Sequence, residues 1–164
     1  MENSAQDTYV AGLAMLARRE LSEVQVRQRL LRRGHSPDDI DTAIARLKSE
    51  RALDDARVAE AIARTEINLR GRGRARVNRQ IKQAGIADAT AQRALERAYE
   101  DVDPQELLVA ALNKRLRGRE TIADQREMQR LYRYLVSQGF ESDRVLSLLR
   151  RRLSKKAAAD HEDA

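Results

Sequence analysis

Apolar residues return along this chain at intervals of three and four, and no segment alternates with period two for long enough to read as a strand. From Thr8 to Arg18, Tyr9, Leu13, Leu16 and Ala17 share one helical face. Ser22-Glu23-Val24-Gln25 reads as a capping box that opens a helix carrying Val26, Leu30 and Leu31 and stopping at Gly34. Ser36-Pro37-Asp38-Asp39 opens the next. Serine can cap, proline fits the first turn, and the aspartates face the positive end of the helix dipole. Ile40, Ala43, Ile44 and Leu47 then form its buried stripe. Asp54 can cap a further helix. Asp103-Pro104-Gln105-Glu106 repeats the start with a capping box and a proline ahead of Leu107, Leu108, Ala111 and Leu112. Asp124-Gln125-Arg126-Glu127 reads as another capping box, leading into Met128, Leu131, Leu135 and Val136 and ending at Gly139. Val145, Leu148 and Leu149 line the last helix.

The pattern is internally repeated. With Gly34, Gly85 and Gly139 superimposed, Leu30, Ile81 and Leu135 stand four residues before the glycine and Val26, Val77 and Leu131 eight before. His35, Ile86 and Phe140 follow directly, and Ile44, Leu95 and Leu149 lie ten after. A helix, a glycine stop in the left-handed region, one packed residue and a new helix make a coherent unit. The predicted fold is all-α, an elongated tandem array of three three-helix repeats at residues 8–53, 54–103 and 104–153, with a disordered tail at 154–164. The proline-capped boundary after Asp103 reads as a natural cutting point, leaving two folded units.

Charge adds a second theme. Of 164 residues 35% are charged and only 3% aromatic, and the formal net charge is +6. Residues 104–164 hold 13 basic and 9 acidic side chains, so most of the excess lies there. Arginine supplies nearly all of it. Codon bias can inflate arginine and alanine together, but it accounts less well for clustering, and a phosphate-tracking surface needs charge on one face. Cysteine is absent, which removes disulfides, thiolate nucleophiles and cysteine zinc sites and suits a reducing cytoplasm. Met1 to Asp7 shows no signal-peptide pattern, and the longest early uncharged run, Thr8 to Ala17, falls far short of the roughly 20 residues that span a membrane.

Candidate chemistry is sparse. His35 reads as a packed or capping histidine, and His161 lies in the tail. Asp38, Asp39 and Asp41 could suggest magnesium, but a dipole-favoured first turn accounts for them more simply. Gly71 and Gly73 lack the lysine-serine/threonine ending of a phosphate loop. No catalytic residue, metal site or cofactor is predicted. The basic groups are more promising. Seven basic residues and one acid, Glu66, lie between Arg64 and Lys82, including Arg70, Arg72, Arg74, Arg76, Arg79 and Lys82, and glycines 71 and 73 would let this backbone approach a phosphate or a partner. Lys114, Arg115, Arg117 and Arg119 form a second group. Arg126, Arg130 and Arg133 form a third, at helical neighbour spacings on one face. Each group can also be read as a solvated turn or face. Arg150 to Arg152 with Lys155 and Lys156 reads as a solvated helix end. Tyr132 and Tyr134 flank the buried row of Leu131 and Leu135, and at least one is expected at the surface. Aromatic residues are too few for a platform that stacks single strands.

Three segments carry a resemblance. Leu53-Asp54-Asp55-Ala56-Arg57-Val58-Ala59 resembles the leucine-aspartate-aspartate-x-arginine-phenylalanine-alanine signature of the RecX family, with Val58 in the place of phenylalanine. Arg76 to Ile86 is similar to that family's central basic helix and glycine turn, and Arg130-Leu131-Tyr132-Arg133-Tyr134-Leu135 through Phe140 to its third-repeat signature. The resemblance implies a non-enzymatic regulator of RecA recombinase, and a cytoplasmic monomer is expected. Such a regulator binds the RecA nucleoprotein filament on single-stranded DNA, and duplex DNA weakly, and suppresses ATPase, strand exchange and co-protease activities. The expected binding surface comprises the three basic groups with Tyr132. Asp54, Asp55, Arg57, Gly34, Gly85 and Gly139 are expected to be structural. A general nucleic-acid-binding helical repeat is the alternative.

Overall fold

The computed structural model describes residues 2–153, so the predicted disordered tail lies outside the described residues. Helices run in the order α1 (Glu2–Leu16), α2 (Glu23–Arg32), α3 (Pro37–Ser49), α4 (Asp55–Arg64), α5 (Arg74–Gln83), α6 (Asp88–Tyr99), α7 (Pro104–Leu116), α8 (Gln125–Ser137) and α9 (Ser142–Arg152). A π-helical turn, Thr65–Leu69, extends α4. Among the described residues the extended pairing is a single parallel bridge, Ile122 with Leu153, in which Ile122 N–H donates to the Arg152 carbonyl at 2.7 Å. The fold is therefore the predicted all-α set of three helix triplets.

The start signals work largely as read. Ser22 and Gln25 form the reciprocal capping box on α2. Ser36 accepts from Asp39 N–H ahead of Pro37; at Pro104 the expected capping box is a simpler cap, with Asp103 accepting from Gln105 N–H at 2.7 Å rather than from Glu106 N–H. Helix α1 begins before the predicted Thr8. The capping box at Asp124 needs a correction: Asp124 caps Glu127 N–H at 2.7 Å, but the Glu127 carboxylate reaches past Asp124 to Ala123 N–H at 2.9 Å. A neighbouring guanidinium, Arg119, holds that carboxylate on the same side.

All three superimposed glycines adopt positive φ, at 87° (Gly34), 79° (Gly85) and 95° (Gly139). Such angles cost L side chains energy. Leu30, Ile81 and Leu135, four residues before them, are each fully buried. At two of these stops the residue after the glycine donates back to that leucine's carbonyl: His35 N–H to Leu30 at 3.2 Å and Phe140 N–H to Leu135 at 3.3 Å. His35 is a packed residue, its Nδ1 lying 2.7 Å from the buried Thr8 hydroxyl.

The chain packs into two compact units that do not follow the triplets: residues 1–63 with 80–96, and residues 64–79 with 97–164. The first has a core of Met15, Leu21, Val26, Leu30, Ile40, Ile44, Leu47 and Leu53. The second is built on Leu108, Leu112, Leu116, Ile122, Leu135, Phe140, Val145, Leu148 and Leu149. Within the first unit, the Leu53–Ala59 segment staples two helices. Asp54 Oδ1 accepts from Ala56 and Arg57 N–H at the start of α4, while Asp55 Oδ1 accepts from Glu23 N–H at the start of α2 (2.8 Å). Burial lifts the Asp55 carboxyl above its ordinary value, opposed by that backbone hydrogen bond. Arg57 ties the same corner, Nε to Glu20 Oε1 at 2.7 Å and Nη1 and Nη2 to the carbonyls of Arg51 and Ala52. Leu53 and Val58 point inward, both nearly fully buried.

Candidate functional site

The connection from α4 into α5 belongs to the second unit, and there its arginines divide into two kinds. Arg70 Nη1 bonds Glu66 Oε1 at 2.9 Å, and Glu66 itself is buried on the π-helical turn. Arg72 lies inward. Its Nε is 4.0 Å from Glu66 Oε2, its side chain is 19% exposed, and its carbonyl accepts the Tyr99 hydroxyl at 2.8 Å. Arg76 also turns back, Nη1 donating to the Ser137 carbonyl at 3.2 Å. Arg74 and Arg79 face solvent, the Arg74 guanidinium lying 5.7 Å from the Tyr99 ring centre. In the first unit, Lys82 on the exposed side of α5 pairs with Asp88 at 3.0 Å.

Gly73 does not offer its backbone to solvent. A Cβ there would stand 2.3 Å from the Gly139 carbonyl carbon, and Gly73 N–H donates to the Gln138 carbonyl at 2.9 Å. Ala75 N–H donates to the Gly139 carbonyl at 3.2 Å. The start of α5 thus seats on the end of α8, and the close approach allowed by glycine is used inside the protein. Gly71, at φ 60°, has open space around it.

The second and third basic groups meet in part. Helix α7 ends at Arg117 in the left-handed region (φ 50°). Arg115, Arg117 and Arg130 then line one recess of about 550 Å³ together with Glu127, Leu131 and Tyr134. The Arg115 guanidinium sits 4.2 Å over the Tyr134 ring, a cation–π arrangement that fixes its direction. Glu127 is the one acid in this wall. Hydrogen bonds from Arg119 and from Ala123 N–H pull its pKa down to about 2, so it is ionised at neutral pH and held by Arg119. The three remaining guanidiniums outnumber it, and the arrangement suits a phosphate or carboxylate, which arginine binds in bidentate fashion.

The third group does not act as one face. Arg133 and Tyr132 line a different recess, of about 280 Å³, with Met128 and Leu146. Arg126 and Lys114 are exposed outside both recesses. One basic feature escaped the sequence reading. Arg151 and Arg152, expected at a solvated helix end, border a recess of about 590 Å³ with Arg119 and Thr121, and Arg152 Nη1 donates to the Glu120 carbonyl at 3.0 Å. The run itself was visible; the return of α9 beside the α7–α8 connection was not. The acidic start of α3 divides its carboxylates. Asp39 accepts from Ser4 and Ser36 at 2.7 and 2.6 Å, and Asp41 pairs with Arg27. Among the described residues no group of three or more histidine, aspartate or glutamate side chains is gathered as a metal site, and no helix is long and apolar enough to cross a membrane.

Comparison with known proteins gives this geometry a family. Residues 9–47, 54–95 and 101–149 match, in order, the first, second and third three-helix domains of RecX. The chain belongs to the RecX family. It is 35% identical to the regulatory protein RecX of Halorhodospira halophila over 153 residues, covering 93% of this chain and 88% of that protein. It is 36% identical to the RecX of Chromohalobacter salexigens over 135 residues, 81% and 84% of the two chains. The crystal structure of RecX from Lactobacillus salivarius superimposes with a TM-score of 0.75, covering 92% of this chain and 97% of that one at 20% identity. That likeness shows the RecX fold, and the family is one of regulatory proteins.

Proposed function

We propose that this RecX-family chain is a negative regulator of RecA recombinase, binding the RecA–single-stranded DNA filament and inhibiting its ATPase, strand exchange and co-protease activities. Family membership is the observation that carries this reading. The recess of Arg115, Arg117 and Arg130 supports it, since a nucleoprotein filament presents phosphates and carboxylates together. In this reading the regulator acts in the cytoplasm, in recombination, repair and the SOS response, as a monomer and without a cofactor. Exposed Arg74, Arg79, Lys114, Arg126 and Arg133 and the half-buried Tyr132 extend the contact surface, and duplex DNA binds weakly.

One observation favours a second reading. The arginine recess would accept any phosphate, so the protein could be a helical repeat that binds nucleic acid generally. Binding to naked single strands and to assembled RecA filaments, each measured across a salt series, separates the two. Phosphate-driven binding weakens steeply with salt. Recognition of a composite protein–DNA surface predicts tighter filament binding at physiological salt with a shallower slope. Equal affinity and equal slope for both targets would favour the general binder.

A further inference from the structure

The second unit contains a recess that the basic surface does not explain. It measures about 230 Å³, below the about 300 to 1,000 Å³ of pockets that hold drug-sized ligands, so it suits one planar ring or one side chain rather than a whole cofactor. Its walls are the apolar Val102, Leu107 and Leu108 and the rings of Tyr99 and Phe140. The chain has five aromatic residues, four tyrosines and one phenylalanine, and two of them line this one hollow. Both rings are held in place. Tyr99 donates its hydroxyl to the Arg72 carbonyl at 2.8 Å, and Phe140 follows the glycine stop that seats α5. Gly73 and Gly139 close one side, where any added Cβ would collide with backbone.

The rim has a different character. Arg74 reaches over Tyr99 and faces solvent, and Arg144 stands on the opposite element with its Nε 2.8 Å from Glu141 Oε2. The acid at the rim is therefore engaged by Arg144, and the Arg74 cation is left at the mouth. A preformed, ring-lined hollow with a cation at its mouth matches a nucleotide unit, a flat apolar base attached to a phosphate. An apolar side chain of a protein would fill the hollow but would leave the Arg74 charge unused.

We propose that this recess captures one unstacked base of single-stranded DNA between the α6–α7 corner and the α8–α9 turn, with Arg74 on the adjoining phosphate. The idea rests on single-stranded DNA being a partner, as in the function proposed above, and deepens it. A platform that stacks several bases needs several exposed rings, whereas a single-base pocket needs only the two that line this hollow.

The test uses the full-length chain and two labelled strands of equal length, a thymidine oligonucleotide and a matched strand of abasic sugar phosphates. Stacking one base is worth about 1 to 3 kcal/mol, so the intact strand should bind at least about 5-fold tighter at fixed salt. Val102→Phe fills the recess without changing charge, and Phe140→Leu removes one ring. Each, with its melting temperature checked, should bring the intact strand close to the abasic one. Equal binding of both strands by the parent overturns the proposal, as does retention of the full preference by the variant that stays folded. If the variants keep the preference but lose affinity for RecA filaments, the occupant is a protein side chain, and base capture is again overturned. RecA ATPase inhibition by the parent, measured separately, reports on the regulator function whatever the pocket does.

Discussion

Arg72 and Arg74 are two positions apart and carry the same charge, yet they do different work. Arg72 lies against buried Glu66, while Arg74 stands in solvent. Reversing Arg72, Arg74 and Arg76 together would therefore mix two effects. The structure predicts that Arg72→Glu lowers the melting temperature, because it sets a like charge beside a buried carboxylate. Arg74→Glu and Arg79→Glu should leave melting within a degree or two and weaken binding to RecA filaments. A paired thermal-melt and binding measurement checks both, and loss of stability in the Arg79 variant would contradict the assignment. Glu127 makes a pH prediction. Its folded pKa of about 2 lies below its ordinary 4.5, so its stabilising contribution is complete above about pH 4.5 and is lost as pH falls toward 2. Glu127→Gln should flatten that part of the acid-unfolding curve. An acid curve unchanged by the substitution would show that the Arg119 contact does not form in solution.

Helices dock here through their ends, in a fixed register. Ser22 stands twelve residues before Gly34, and its hydroxyl donates to the carbonyl of Ala84, the residue before Gly85. Gly73 stands twelve before Gly85 and donates to the carbonyl of Gln138, the residue before Gly139. The first and second repeats thus each plug the start of their second helix into the glycine stop of the next. The first stop receives no plug, and nothing lies within 4 Å of where a Cβ on Gly34 would be. A graded series follows. Gly34→Ala should cost only the left-handed penalty of about 1 to 2 kcal/mol. Gly73→Ala and Gly139→Ala, which drive a methyl into backbone at 2.3 Å, should exceed the about 1 to 3 kcal/mol usual for overpacking. Equal losses at all three positions, measured by denaturant unfolding, would refute the end-to-end docking. Leu30→Ala, Ile81→Ala and Leu135→Ala should each cost about 2 to 5 kcal/mol, since all three side chains are fully buried. These buried aliphatic and glycine positions were legible in the sequence because a helix and its stop are set by neighbours four or five residues apart. The docking was not, because Ser22 and Ala84 are 62 residues apart and nothing local to either marks the pair.

Across the whole molecule, the sequence shows three repeats and the structure shows two packing units, and the second repeat explains the difference. Its α5 begins in one unit and ends in the other. A cut after Asp103 would remove α7 to α9 and with them the carbonyls of Gln138 and Gly139 that seat the start of α5. The boundary looks natural from its proline cap, but the truncated chain is predicted to lose helix in residues 64–79, visible as accelerated amide exchange there. The candidate surface was legible only in part for the same reason. Clustering along the chain put Arg115 and Arg117 in one group and Arg130 in another, and only the packing of α7 on α8 gathers them. Contacts with Glu66 and with the Ser137 carbonyl turn Arg72 and Arg76 back toward the protein, and Arg133 lines a different recess from Arg130. In the proposed function, this RecX-family chain restrains RecA on single-stranded DNA. The most direct measurement is RecA ATPase on single-stranded DNA, titrated with the full-length chain and with the Arg115→Glu, Arg117→Glu, Arg130→Glu triple variant. Concentration-dependent inhibition by the parent is expected, with inhibition weakened at least tenfold in a variant that melts normally. ATPase unchanged by the parent at concentrations that saturate single-stranded DNA would contradict it.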